Sequence, residues 1–236
     1  MQPRKTRLSR SRIGPVMRRL GQAIQGLQLP AVEKISSEQS GNPFRVLIAT
    51  MLSAQTRDEV TSMASERLFE VADTPEGLSR ISRSRIEKLI YPVSFYRDKA
   101  RHIVQACRLL LSKFDGQVPT CMDELLLLPG VGRKTANLVL IVAHRSETNI
   151  CVDTHVHRIS NRLGWVKTKT PTGTEHELYR VVRRRWWPLI NLYMVVWGQN
   201  ICRPVYPLCD SCEISSTCQR IGVKKIGRSR TPKRKT

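Results

Sequence analysis

The sequence lacks the features by which membrane and secreted proteins are recognised. No run of eighteen apolar residues occurs among its 236 residues, so no segment is long enough for a transmembrane helix. No apolar stretch follows the basic N-terminus, which argues against a secretory signal peptide. The cysteine count of seven is odd, and four of these cysteines crowd between positions 202 and 218. A disulfide framework is therefore not expected, and we predict an intracellular, reducing location, cytoplasmic or in the nucleoid for a prokaryote.

Acidic residues are scarce. The chain has 19 Asp and Glu against 40 Lys and Arg, and its formal net charge is +21. Such an excess indicates a polyanionic partner, either nucleic acid or an anionic membrane surface. Fifteen of the basic residues lie in the acid-free segments 1–20 and 219–236, which leaves about +6 for the rest. Ends of this kind predict salt-sensitive attraction to phosphate, although they can also simply be disordered.

An alternation of apolar and polar residues, which would indicate β-strands, is also missing. Apolar residues recur instead at helical spacing, and Gly, Pro, Asn and Asp separate the segments. Segments with this spacing are 44–53, 58–70, 84–91, 97–113, a Leu-rich run from Asp123 to Pro129, and a stretch from about 133 to 142. The sequence therefore predicts an all-α protein with short loops.

Residues 129–132, Pro-Gly-Val-Gly, predict a hairpin between two helices. Gly130 and Gly132 permit positive φ and close approach of the backbone, and the N-terminus of the following helix suits a phosphate group. A mere sharp turn is the alternative. Lys134, next to Arg133 in the first turn of that helix, is a candidate amine nucleophile, or alternatively a phosphate contact.

Asp153 is an isolated acid in a polar and basic stretch that runs from Cys151 to Arg158. An acid in this setting can act in catalysis, but Asp also begins helices well, so a role as N-cap is the alternative. His155 and His157 form a pair without a nearby third ligand. A structural or DNA-contacting role fits them better than metal binding.

The four clustered cysteines supply thiolates for a metal site. They are Cys202, Cys209, Cys212 and Cys218. Four close thiolates suit either a tetrahedral zinc ion or an iron–sulfur cluster. Zinc sites usually contain two Cys-x2-Cys pairs and this segment has one, so the spacing favours a [4Fe–4S] cluster.

Four motifs together make the chain resemble the endonuclease III DNA glycosylases of the helix-hairpin-helix superfamily. They are Leu52-Ser53-Ala54-Gln55-Thr56, Leu128 through Asn137, Val152-Asp153-Thr154-His155, and the cysteine spacing. The resemblance runs from about residue 15 to residue 218. It implies a two-lobed all-α fold, with a six-helix barrel lobe over 36–147 and an iron–sulfur cluster lobe formed by 15–35 plus 148–221. Basic tails would occupy 1–14, expected to be flexible, and 222–236.

The resemblance also implies roles for individual residues. Lys134 and Asp153 would be catalytic, and the four cysteines would bind a [4Fe–4S] cluster. DNA contacts would come from Gln55, which fills the gap left by an extruded nucleotide, from the wedge residue Phe95, from the hairpin glycines Gly130 and Gly132, and from Arg133 and His155.

The implied activity is base excision repair. A bifunctional enzyme would remove oxidised pyrimidines from double-stranded DNA and cleave abasic sites by β-elimination through a lysine Schiff base, and we expect it to be a monomer with no membrane partner. Two alternatives stay open at this point. One is a monofunctional glycosylase for U or T opposite G. The other is a non-catalytic DNA-binding module with a four-cysteine zinc site.

Overall fold

A computed structural model describes residues 12–38 and 42–228, and these residues form twelve α-helices and no β-strand. The chain divides into two compact units. Residues 29–151 form one continuous unit, here called the central unit. Residues 12–28 and 152–228 together form the second, here called the split unit. The all-α class predicted from the sequence is confirmed.

The central unit contains eight helices. They are α2 (Ala31–Glu38), α3 (Pro43–Ser53), α4 (Asp58–Val71), α5 (Pro75–Arg80), α6 (Arg83–Ile90), α7 (Tyr96–Lys113), α8 (Met122–Leu125) and α9 (Arg133–Val142). Side chains cap several of them, as at Asn42, whose Oδ1 accepts a hydrogen bond from Phe44 N at 3.0 Å. Helix α3 lies in the centre of the core, because all its residues from Phe44 to Leu52 except Arg45 are buried.

The split unit contains four helices and a segment rich in tight turns. The helices are α1 (Ile13–Ala23), α10 (Thr154–Leu163), α11 (Pro171–Val181) and α12 (Trp187–Asn200). Helix α12 packs against both α1 and α10. Short 3₁₀ turns over Cys209–Ser211 and Ser215–Thr217 follow α12 and shape the segment that carries the four cysteines.

The helix predicted from the Leu-rich run before Pro129 is shorter in the structure than the sequence pattern indicates. The Leu-rich run before Pro129 is helical to Leu125, and tighter turns follow, with Leu128 N donating to Leu125 O at 3.2 Å. Leu126 and Leu127 are 41% and 49% exposed, so half of the run does not enter the core. A four-leucine run cannot be buried on one face of a helix, because successive residues point about 100° apart.

The division into units differs from the predicted lobes at α2. Residues 29–35 were assigned to the cluster lobe, but Val32 and Ile35 are buried in the core of the central unit, where α2 packs against α3. Of the predicted tails, residues 12–14 lead into and begin α1, while 1–11 and 229–236 lie outside the described residues. Among the described helices, none is long and apolar enough to span a bilayer.

Candidate active site and cysteine pocket

The hairpin between α8 and α9 depends on Gly130. Its φ is +81°, and a Cβ built on it would lie 2.8 Å from the Cβ of His102. Only glycine fits such a position, because the left-handed conformation and the close neighbour both exclude a side chain. Val131 N closes the turn by donating to Leu128 O at 3.0 Å. The predicted hairpin and the positive φ of Gly130 are therefore confirmed.

Gly132 serves a different purpose from Gly130. It is the N-cap of α9 with an extended backbone (φ −100°), and a Cβ built there would meet nothing within 4 Å. Of the two glycines, only Gly130 uses the positive φ that both permit. The first N–H groups of a helix have no acceptor within that helix, and Gly132 has no side chain to cap them. This helix end is open to an approaching anion such as a phosphate.

Lys134 is the second residue of α9 and is half-buried, whereas Arg133 before it is exposed. The carbonyl oxygen of Lys134 accepts a hydrogen bond from Cys151 Sγ at 3.5 Å. A second lysine of the central unit, Lys99, is close enough for the two charges to repel. Burial, with a smaller contribution from the charge of Lys134, lowers the pKa of Lys99 to about 8.

Gln55 and Phe95 both lie in loops of the central unit and share an unusual backbone conformation. Gln55 follows α3 with φ +55°, and Phe95 precedes α7 with φ +56°. Both are exposed, Phe95 by 63%. Left-handed conformations in residues other than glycine are uncommon and cluster at functional sites. The two residues predicted to insert into DNA are therefore exposed on a strained backbone, and contacts with neighbouring residues must hold that backbone in place.

Asp153 lies in the split unit as the N-cap of α10. Its Oδ1 accepts a hydrogen bond from Val156 N at 2.8 Å, so the capping interpretation is confirmed. Capping occupies one carboxylate oxygen and is compatible with a catalytic role for the charge. The charge of Asp153 also favours the protonated form of Arg158, although burial, the larger cause, lowers the pKa of Arg158.

The two histidines of α10 have protein partners. The ring of His155 packs against Gly198, where a Cβ would lie 2.3 Å from its Nδ1, and Arg158 approaches the same nitrogen at 3.2 Å. His157 Nδ1 pairs with Thr174 Oγ1 at 2.6 Å. These contacts fit the structural role expected for the pair.

All four clustered cysteines line one pocket of the split unit. Its apolar wall includes Ile159, Leu163 and Ile214. Burial raises the pKa of the Cys209, Cys212 and Cys218 thiols, so thiolates there require a positive partner. No three His, Cys, Asp or Glu side chains in the part of the chain described stand close enough to hold a single metal ion.

Several donors face the cysteine pocket. The indole nitrogen of Trp197 is buried there, and its hydrogen bond to Cys212 opposes the burial that raises the pKa of that thiol. A buried donor of this kind costs free energy unless an acceptor is supplied. The guanidinium of Arg162 lies 3.4 Å from the sulfur of Cys202. The pocket therefore presents four thiols together with several donors, and such a set can hold an anionic sulfur-rich group.

Sequence reasoning missed Lys99 and Arg162, which are 8% and 9% exposed. Both are basic residues on helices where neighbouring positions are buried. The available signal was the position of Lys99 four residues before Ile103, in line with the apolar face of α7. A basic residue at such a position is buried only if it has partners, and this is what both side chains have.

Residues 48–184 match the HhH-GPD superfamily of base excision DNA repair proteins. The chain is 50% identical over 178 residues to endonuclease III of Thermotoga maritima, a match that covers 75% of this chain and 83% of that protein. It is 46% identical over 184 residues to the chloroplastic endonuclease III homolog 2 of Arabidopsis thaliana, where the match covers 74% of this chain and 47% of the plant protein.

A solved structure of an endonuclease III has a fold similar to that of this chain. It is a trapped covalent intermediate of an endonuclease III with DNA, which superposes with a TM-score of 0.79 at 32% sequence identity. The superposition covers 90% of this chain and 97% of that one.

Proposed function

Because this chain belongs to the endonuclease III family of base excision DNA repair proteins, we propose that Lys134 and Asp153 carry out its chemistry. Members of this family are bifunctional: a DNA glycosylase that removes oxidised pyrimidines is combined with a lyase that cuts at the abasic site. The observation that carries the assignment is a lysine in the first turn of a helix whose N-terminus, behind a glycine hairpin, is open to phosphate.

The hairpin is the proposed anchor for the DNA backbone. The N–H groups at the start of α9, together with the helix dipole, attract a phosphate group. The open space at Gly132 lets that group approach closely. Backbone donors do not distinguish bases, so this contact places the strand without selecting a sequence. Gln55 and Phe95 would enter the base stack once the damaged nucleotide is extruded, and Arg133 and His155 would add contacts.

Lys134 would act as the nucleophile. A damaged base has to leave the stack before its glycosidic bond is accessible. The free amine of Lys134 attacks C1′ of the sugar, the C1′–N bond breaks, and the base departs with the bonding electrons and takes up a proton. Opening of the sugar ring gives an imine. The imine acidifies C2′–H; loss of that proton forms a double bond as the C3′–O bond breaks, and the phosphate leaves.

Asp153 would stabilise the positive charge that develops on the sugar as the base departs. Its carboxylate is fixed by the hydrogen bond from Val156 N, so it does not have to reorganise during the reaction. A preorganised charge of this kind favours the transition state over the ground state.

Four thiolates, from Cys202, Cys209, Cys212 and Cys218, would hold a [4Fe–4S] cluster. The segment that carries them contains a single Cys-x2-Cys pair, whereas zinc sites usually contain two, and this spacing favours a cluster over a zinc site. Trp197 and Arg162 would donate hydrogen bonds to the thiolates of Cys212 and Cys202 that hold it. When bound, the cluster would cross-link the turn-rich segment after α12, and it would take no part in the cleavage steps.

Borohydride trapping tests the assignment. An imine between Lys134 and abasic DNA is reduced to a stable covalent adduct, whereas a glycosylase that uses water leaves none. Lys134→Gln should abolish the adduct and strand cleavage while leaving DNA affinity within a few-fold. Lys113→Gln, an exposed lysine of α7, is the matched control and should trap normally. Trapping by Lys134→Gln at the wild-type rate would contradict the assignment.

The physiological partner we propose is double-stranded DNA with damaged bases or abasic sites, bound by the protein as a monomer. The proposed location is intracellular, because genomic DNA is found there and thiolate ligands require reducing conditions.

A further inference from the structure

The ammonium group of Lys99 is buried at the C-terminal end of α3 and uses all three of its donors. It donates to Leu52 O at 2.7 Å, to Ala54 O at 2.6 Å and to Thr56 Oγ1 at 3.2 Å. Carbonyl groups at the end of a helix lack partners and carry partial negative charge, so a cation is favoured at this point. Lys99 thereby holds the residues on both sides of Gln55.

The hydroxyl group of Thr56 extends this contact to a second loop. It accepts a hydrogen bond from Ser94 N at 3.2 Å and also accepts the one from Lys99, while it donates to Ala54 O at 3.3 Å. Ser94 directly precedes Phe95. The loops that present Gln55 and Phe95 are therefore joined through a single side-chain oxygen, and that oxygen is fixed by Lys99.

Both inserting residues have a left-handed backbone that is unfavourable for a residue with a side chain. Such a conformation persists only where neighbouring contacts hold it. At Gln55 those contacts include the hydrogen bonds from Lys99 to Ala54 O and Thr56 Oγ1, beside the backbone bond from Thr56 N to Ser53 O at 3.1 Å. At Phe95 they include the bond of Ser94 to Thr56.

We propose that Lys99 is a positioning residue that holds Gln55 and Phe95 in register as a pair of wedges for base extrusion. The inference rests on the proposed function, because the wedges matter only if a nucleotide leaves the stack. Lys99 acts through the two loops. It neither enters the base stack nor forms a bond to the sugar.

Two substrates separate positioning from chemistry. Single-turnover excision of an oxidised pyrimidine from a duplex requires extrusion and a filled gap. Borohydride trapping on a single strand with an abasic site requires only the amine, because there is no stack to open. Lys99→Met should slow duplex excision about tenfold or more, since it removes hydrogen bonds to a charged group, and should change single-strand trapping less than twofold. Lys113→Met, the same substitution on the exposed end of α7, should leave both unchanged.

Thr56→Val provides a second test that leaves the lysine in place. It keeps the side-chain shape and removes the shared oxygen, so it should reproduce the selective loss on duplex DNA even if Lys99→Met does not fold. In a Gln55→Ala background, Lys99→Met should add less than it does alone, because part of its effect passes through Gln55.

The outcomes distinguish the inference from the proposed function. Equal losses of Lys99→Met on both substrates would show that Lys99 serves the chemistry or the fold as a whole, and unchanged duplex excision in both variants would show that it positions nothing. Either result overturns the inference while wild-type trapping still supports the proposed function. Absence of trapping by the wild-type holoprotein would instead contradict the proposed function.

Discussion

Arg162 contacts both the sulfur of Cys202 and the backbone carbonyl groups of the two residues that follow it. Its guanidinium lies 3.4 Å from Cys202 Sγ and donates to Arg203 O and Pro204 O at 2.7 Å each. Its own carbonyl oxygen accepts from Ile221 N at 3.1 Å. One buried arginine of α10 therefore contacts both ends of the cysteine segment.

We expect Arg162→Met to weaken cluster binding. The substitution leaves the carbonyl groups of Arg203 and Pro204 without their donor and removes the positive charge beside a thiolate, and both effects are unfavourable in a buried site. Iron content and absorbance of the purified protein should fall, and the melting temperature should drop. Arg203→Met, on an exposed residue of the same segment, is the control. Cys209→Ser should lose iron as a positive reference, and full iron content in Arg162→Met would contradict the role given to the arginine.

Two substitutions of Asp153 can separate its role as a helix cap from its proposed role in catalysis. Asp153→Asn keeps an Oδ1 acceptor for Val156 N and removes the charge, whereas Asp153→Ala removes both. We expect the two variants to lose excision alike, by roughly 10²–10³. The free energy of unfolding should fall by about 1 kcal/mol in Asp153→Ala and change little in Asp153→Asn. Near-normal turnover by Asp153→Asn, measured in single-turnover assays, would leave Asp153 as a cap.

The two hairpin glycines should respond differently to alanine. Gly130→Ala places a Cβ 2.8 Å from His102 on a left-handed backbone, so the protein should lose at least about 1 kcal/mol of stability. Gly132→Ala meets no neighbour and should cost about 1 kcal/mol or less, but its methyl group stands in the space proposed for the phosphate. Denaturant unfolding and DNA titration check both. Unchanged DNA affinity in a folded Gly132→Ala protein would argue against a phosphate at that helix end.

Lys99 should make stability depend on pH above neutrality. Its pKa is about 8 when folded, against an ordinary value of 10.5, so between these values the unfolded chain binds more protons. The free energy of unfolding then rises with pH, at most by about 1.4 kcal/mol per unit from this group. Below pH 8 the contribution is constant. Urea unfolding from pH 7.5 to 10 should show wild type gaining stability relative to Lys99→Met, and parallel curves would refute the assignment.

The sequence predicted those parts of the fold that follow from local pattern. Helix α7 was expected over 97–113 and spans Tyr96–Lys113, because its apolar residues recur at helical spacing. The turn at Gly130 was predicted from glycine chemistry, and the joint motifs identified the family. The predicted lobe bounds differ from the observed units at α2, and the roles of the predicted site residues, Lys134 and Asp153 included, stay predictions.

Other features depend on residues distant in sequence and were therefore not predictable. The partners of Lys99 lie 43 to 47 positions earlier in the chain, and those of Arg162 in the cysteine segment lie about 40 positions later. From the sequence alone, Lys99 and Arg162 resemble other basic residues, which are usually exposed. Likewise, the sequence around Gly130 and Gly132 does not reveal that Gly130 is left-handed whereas Gly132 is extended and borders open space.

The split unit is assembled from the two ends of the described chain, and this imposes an order on synthesis. Helix α1 packs against α12, where the ring of Tyr193 lies 3.0 Å from a Cβ built on Gly21. The apolar face of α1, formed by Ile13, Val16, Met17 and Leu20, therefore has to wait until about residue 200 has left the ribosome. The central unit, complete at residue 151, can fold in the meantime. During elongation the first helix of the described chain is thus a nascent segment in need of protection, and it becomes one of the last to dock.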